Sequence, residues 1–103
     1  PELFKNAGDA VEGAYISNHY SPDSPSPKGR QFIADYTKKF GQAPDAIAAV
    51  AFDAAGIVAD AIRRAGSTDR KAIRDALATT KDFEGVTGKT TINKDRNADK
   101  PLV

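Results

Sequence analysis

Oxygen-bearing side chains recur at i, i+2 and i+4 in Asp95-Arg96-Asn97-Ala98-Asp99, the spacing with which a calcium loop presents its ligands. An EF-hand loop also needs glycine at its sixth position and a bidentate glutamate at its twelfth. Lys100 holds the sixth position and the sequence stops before a twelfth, so the run is read as a solvated turn. Gly85 and Gly88 are not read as a phosphate loop, because no helix opens behind them. His19 is the lone histidine, with no nucleophile or second carboxylate placed beside it by spacing. Its default role is packing at a hinge or surface. There is no cysteine, which removes thiolate metal sites and disulfides. The residues therefore show no enzyme chemistry and call for no cofactor.

The elements that would position these groups are mostly helical. Residues 1–7 read as the end of a helix stopped at Gly8. Val11, Tyr15 and Ile16 give Val11–Asn18 a strand-like pattern, and Pro22, Pro25 and Pro27 make the next stretch a loop. Phe32, Ile33, Tyr36 and Phe40 share one face of a helix over about 26–40, with Ser26 as its N-cap. Gly41 ends it. Pro44 and Asp45 open the longest helix, which runs to about Ala65 with Gly66 just beyond. Its apolar residues cover more than half its circumference, the mark of a helix buried between layers. Asp53 and Asp60 are polar exceptions on it. A third helix spans about 69–79 with Ile73, Ala76 and Leu77 as its inner stripe. Thr80–Glu84 is a connector, Thr87–Asn93 a short strand, Asp95–Asp99 a turn, and Pro101–Val103 the start of another strand.

Lys plus Arg number 15 against 14 Asp plus Glu, so no single-sign field points to nucleic acid or an anionic membrane. No apolar run approaches the ~20 residues of a membrane helix, and no segment reads as a secretory leader. The first residue is Pro1 and there is no Met, which suggests a processed chain or a part of a longer one.

Four pieces in order carry a family resemblance: Ala7-Gly8-Asp9-Ala10-Val11-Glu12-Gly13-Ala14-Tyr15, Ala51-Phe52-Asp53-Ala54-Ala55, Ala65-Gly66-Ser67-Thr68-Asp69, and Phe83-Glu84-Gly85-Val86-Thr87-Gly88. Together they resemble the C-terminal third of the type I periplasmic solute-binding proteins, in particular the leucine/isoleucine/valine-binding family of ABC importers. That resemblance implies an α/β fold of two lobes joined by three crossings, with the solute in the cleft. It assigns residues 1–18 to the end of a second-lobe helix and a crossing strand. Residues 19–82 become the helical part of the first lobe, and 83–103 cross back to the second. The chain would lack the parallel sheet its long helix should cover, and would pair with a copy of itself or with the rest of its parent.

By the same resemblance, the residues at and just before the start of the Phe52-Asp53-Ala54 motif line the cleft. Here these are Ala48, Ala49 and Phe52. Phe52 stands for the family's tyrosine, and Ala49 for an aromatic or bulky group in branched-chain binders. His19 and Tyr20 would follow the first crossing, near the cleft mouth. The implied function is capture of an amino acid or similar small acid outside the cytoplasm, with docking on the membrane permease. A sensor or receptor of the same fold is the alternative. A small helical interaction module is another, which the Gly88–Asn93 strand and the proline-rich loop disfavour.

Overall fold

A computed structural model describes residues 2–23 and 26–101. Helix α1, Glu2–Ala7, passes at Gly8 into a 3-10 turn, Gly8–Val11. Beyond it the expected strand over Val11–Asn18 does not form, and Tyr15 and Ile16 stand exposed. A strand needs a neighbour to take its amides and carbonyls, and no described segment lies alongside this one.

The three following helices begin and end where their caps predict. Helix α2 spans Pro27–Phe40, with the Ser26 hydroxyl accepting the Gly29 N–H at 3.4 Å. Helix α3 spans Ala46–Ala65, and Asp45 accepts the Ala48 N–H at 2.8 Å. Helix α4 spans Arg70–Ala78, and Asp69 accepts the Ala72 N–H at 2.9 Å. Each bond satisfies one of the amides a helix start leaves without a partner. Gly41 and Gly66 stop α2 and α3 in left-handed conformation, at φ 73° and 61°.

Helix α4 packs along α3, and Arg64 joins the two. Its guanidinium is held by Asp60 at 2.7 Å and donates to the Ala76 carbonyl at 2.7 Å. It reaches the Thr79 and Thr80 hydroxyls at 3.1 and 2.9 Å. The cation thus sits at the C-terminal end of α4, on one of its last-turn carbonyls and the two threonine hydroxyls that follow.

The Thr80–Glu84 connector is partly a strand. Strand β1, Phe83–Gly85, pairs antiparallel with β2, Gly88–Ile92, through a tight turn at Val86 and Thr87. Part of the expected Asp95–Asp99 turn is likewise a strand, since β3, Ala98–Asp99, pairs with the other side of β2. The loop between them is built on Asn93, whose Oδ1 accepts the N–H groups of Asp95 and Asn97, both at 3.0 Å. Its amide donates to Asp99 at 3.0 Å. Gly88-Lys89-Thr90 spells the end of a phosphate loop, yet these residues lie in β2 and no helix follows. Pro101 is in no strand, and Leu102 and Val103 lie outside the described residues.

Helix α3 is not buried between layers. Ala49, Asp53, Ile57 and Ala61 face inward, one turn apart. Ile47, Ala51, Ala54, Val58 and Ile62 form a second stripe that is open to solvent, with Ile47 79 % exposed. The expectation of burial fails because no sheet among the described residues covers this side.

Candidate functional site

The buried face of α3 carries one charge. Asp53 is 4 % exposed and lies among alanines and Ile57 on that face. Its carboxylate accepts the Val86 N–H at 2.7 Å and the Thr87 N–H at 2.9 Å. It also accepts the Thr87 hydroxyl at 2.5 Å. A carboxylate that accepts three hydrogen bonds tolerates burial that would otherwise be costly. The turn between β1 and β2 is thereby bolted to the middle of α3. Gly85 makes the approach possible, since a Cβ there would lie 2.3 Å from the Asp53 carboxyl carbon.

Beside this bolt, α2, α3 and β1 enclose a groove of about 340 Å³. Phe32, Phe52 and Phe83 form its apolar walls, and Lys28 and Asp35 stand at its polar side. Phe32 and Phe52 stack tilted, with centroids 4.8 Å apart. Phe83 lies over Gly56, where any Cβ would come within 2.9 Å of the ring. The Lys28 ammonium donates to the Glu84 carbonyl at 2.7 Å, linking α2 to β1.

The structure separates the five residues expected to meet a solute. Phe52 lines the groove and is 55 % exposed. Ala49 is 0 % exposed and packs with Tyr20, Phe32 and Val86, so it presents no surface to a ligand. Tyr20 is 5 % exposed in the same cluster, and its hydroxyl has no hydrogen-bond partner among the described residues. Burial raises its phenol pKa above the usual 10.0. Ala48 is half-buried in the first turn of α3, and His19 is exposed outside the groove. Asp53, Gly56, Lys28 and Phe83 were not singled out as site residues. The available signal was an aspartate on the apolar face of a helix, facing a Phe-x-Gly strand.

The whole chain, residues 1–103, matches the family described as periplasmic binding protein. Its backbone superposes on a leucine-binding protein, LivK, from Thermotoga maritima with a TM-score of 0.83 at 38 % identity. That match covers 100 % of this chain and 30 % of the other. The branched-chain amino acid transporter binding protein LivJ of Streptococcus pneumoniae, solved with isoleucine, gives 0.77 at 37 % identity over 84 % of this chain and 24 % of its own. A solute-binding protein of an ABC transporter from Rhodopseudomonas palustris, solved with 3,4-dihydroxybenzoic acid, gives 0.76 at 27 % over the same shares, 84 % and 24 %. No curated protein matches the sequence. The chain belongs to the periplasmic binding protein family and has part of the type I fold of the branched-chain amino acid binding proteins. It spans about 30 % of the length of the LivK chain it matches.

Proposed function

We propose that these residues are the C-terminal part of an extracytoplasmic solute-binding protein that captures an amino acid or similar small acid for an ABC importer. The observation that carries this reading is the match along the entire chain to a leucine-binding protein at 38 % identity. In this reading residues 19–82 belong to the first lobe, 1–18 enter it from the second, and 83–103 return. The work done is closure of two lobes around a solute, without covalent chemistry. The closed form docks on the membrane permease. Among the described residues no helix is long and apolar enough to cross a membrane.

Phe52 is the residue of this chain best placed to touch the solute, being aromatic, exposed and on the second turn of α3, where it lines the groove. Ala49 and Tyr20 pack with Phe32, the ring on which Phe52 stacks. The family's contacts to a ligand's ammonium and carboxylate fall outside these residues, so the solute is assigned only by class. Relatives solved with isoleucine and with an aromatic acid bracket that class.

The test is thermal unfolding and calorimetric titration of the intact polypeptide that carries these residues. Branched-chain amino acids, other amino acids and aromatic monoacids are the panel. A true solute at 100 times its Kd adds about 2.7 kcal/mol of stability. A folded protein that none of the panel stabilises overturns the reading.

A further inference from the structure

The groove beside the Asp53 bolt is bounded by phenylalanine rings from three elements. Phe52 of α3 is 55 % exposed, and its ring stacks on Phe32 of α2 with centroids 4.8 Å apart. One turn further along α3, Gly56 leaves room for the Phe83 ring of β1, which a Cβ there would meet at 2.9 Å. The space these rings bound is about 340 Å³. The lining also carries charge of both signs, and each charged group already has a partner within the chain. Lys28 donates to the Glu84 carbonyl at 2.7 Å, and Asp35 accepts from Gln31 at 3.0 Å. Asp53 holds the Val86 and Thr87 amides, and Glu84 faces Lys89 at 3.8 Å. A charged side chain entering here gives up water to meet groups that are already engaged. An uncharged apolar one gives up nothing of that kind and gains by burial.

We propose that this groove receives the side chain of the solute and selects an aromatic one over an aliphatic one. The inference rests on the reading above, in which Phe52 meets the solute, and narrows it. The relatives solved with isoleucine and with 3,4-dihydroxybenzoic acid hold one solute of each kind. Burial of apolar area rewards both kinds at the same rate per unit area. An aromatic ring gains in addition from offset or edge-to-face contact with neighbouring rings, at centroid separations of about 4.5–7 Å. The Phe32–Phe52 pair already packs in this way, tilted by 42°. Phe52 and Phe83 offer ring surface to an entering group, and Gly56 lets Phe83 stand where it does. Phe52 and Phe83 are thus the specificity-determining residues of this chain, and Gly56 positions the second of them.

The experiment is calorimetric titration of the intact polypeptide with two matched pairs. Phenylalanine and leucine share an ammonium and a carboxylate, and benzoate and cyclohexanecarboxylate share a carboxylate and a six-membered ring. In the pair that binds, the aromatic member is expected to bind about two- to twelvefold more tightly. Phe52→Leu keeps apolar bulk and removes the ring, and should bring that ratio close to unity by weakening the aromatic member. Phe40→Leu removes an exposed ring at the end of α2, outside the groove, and should leave the ratio unchanged. Melting temperatures recorded without solute separate a folding defect from lost selectivity. Should Phe52→Leu not fold, nuclear Overhauser contacts in the parent decide, between the ring protons of the bound aromatic solute and those of Phe52 and Phe83. An aliphatic or charged solute bound as tightly as the aromatic one overturns the inference. So does a ratio unaltered in Phe52→Leu, or a bound aromatic solute without those contacts. These three results leave solute capture standing. A folded protein that binds nothing in the panel overturns solute capture itself, and this inference with it.

Discussion

Asp53 and Gly85 are complementary to within a methyl group. Gly85→Ala would place a carbon 2.3 Å from the carboxyl carbon and force the carboxylate away from its donors. Breaking a buried charged network on one side typically costs about 3–5 kcal/mol, and urea unfolding of the intact polypeptide should show a loss of that order. Tyr20 makes the opposite case. Its hydroxyl is buried without a partner among the described residues, so Tyr20→Phe should be neutral or stabilising by about 1 kcal/mol. The same residue carries a pH dependence. Its folded pKa lies above 10.0, so the unfolded chain releases the phenolic proton first. Stability from this group is complete below pH 10 and falls as pH rises through 10.0 toward the folded value. Unfolding curves recorded from pH 8 upward should separate the parent from Tyr20→Phe above that point. The importance of Asp53 was only half legible in sequence. An aspartate on an apolar helix face is visible as an exception, but the amides that reward it are 33 and 34 residues away.

Helix ends were legible because caps act within one turn. Ser26, Asp45 and Asp69 precede α2, α3 and α4, and each accepts an amide three residues on. Asp45→Ala should cost about 1 kcal/mol through loss of that bond, measured by denaturant unfolding. The strands were much less legible. Val11–Asn18 has the residue types of a strand and forms none, whereas Phe83 and Glu84 fall in the expected Thr80–Glu84 connector and yet, with Gly85, pair with β2. Strand identity is decided by a partner, and three residues are too few to show alternation. Arg64 ties α3 to the end of α4 through the Ala76 carbonyl and the Thr79 and Thr80 hydroxyls. Arg64→Met should therefore speed amide hydrogen exchange in α4 more than in the first half of α3.

At the scale of the molecule, the chain is more extended than its length requires. Its radius of gyration is 16.5 Å, where a compact domain of this length has about 13 Å. The excess has a cause in the exposed α3 stripe of Ile47, Val58 and Ile62 and in the open N-terminal stretch around Tyr15 and Ile16. Apolar faces of this kind are normally covered. Prepared alone, the 103 residues should self-associate, and sedimentation should show a mass that rises with concentration. Val58→Lys combined with Ile62→Lys should abolish that rise while leaving helix content unchanged, since both side chains point away from the packed face. The relatives, more than three times as long by the 30 % coverage, have the chain length to cover such a stripe.

What the amino-acid order determined by itself was local or cumulative. The helix starts and stops follow from caps and glycines, and family membership follows from several short pieces kept in order. Balanced charge ruled out a field for nucleic acid. Tertiary structure alone decided which residues meet. It placed Ala49 and Tyr20 inside, left Phe52 open beside Phe32 and Phe83, and brought Lys100 through Thr87 to Asp53. The physical reason is range. A cap is chosen within one turn of backbone, whereas burial and a satisfied carboxylate depend on segments that only folding brings together.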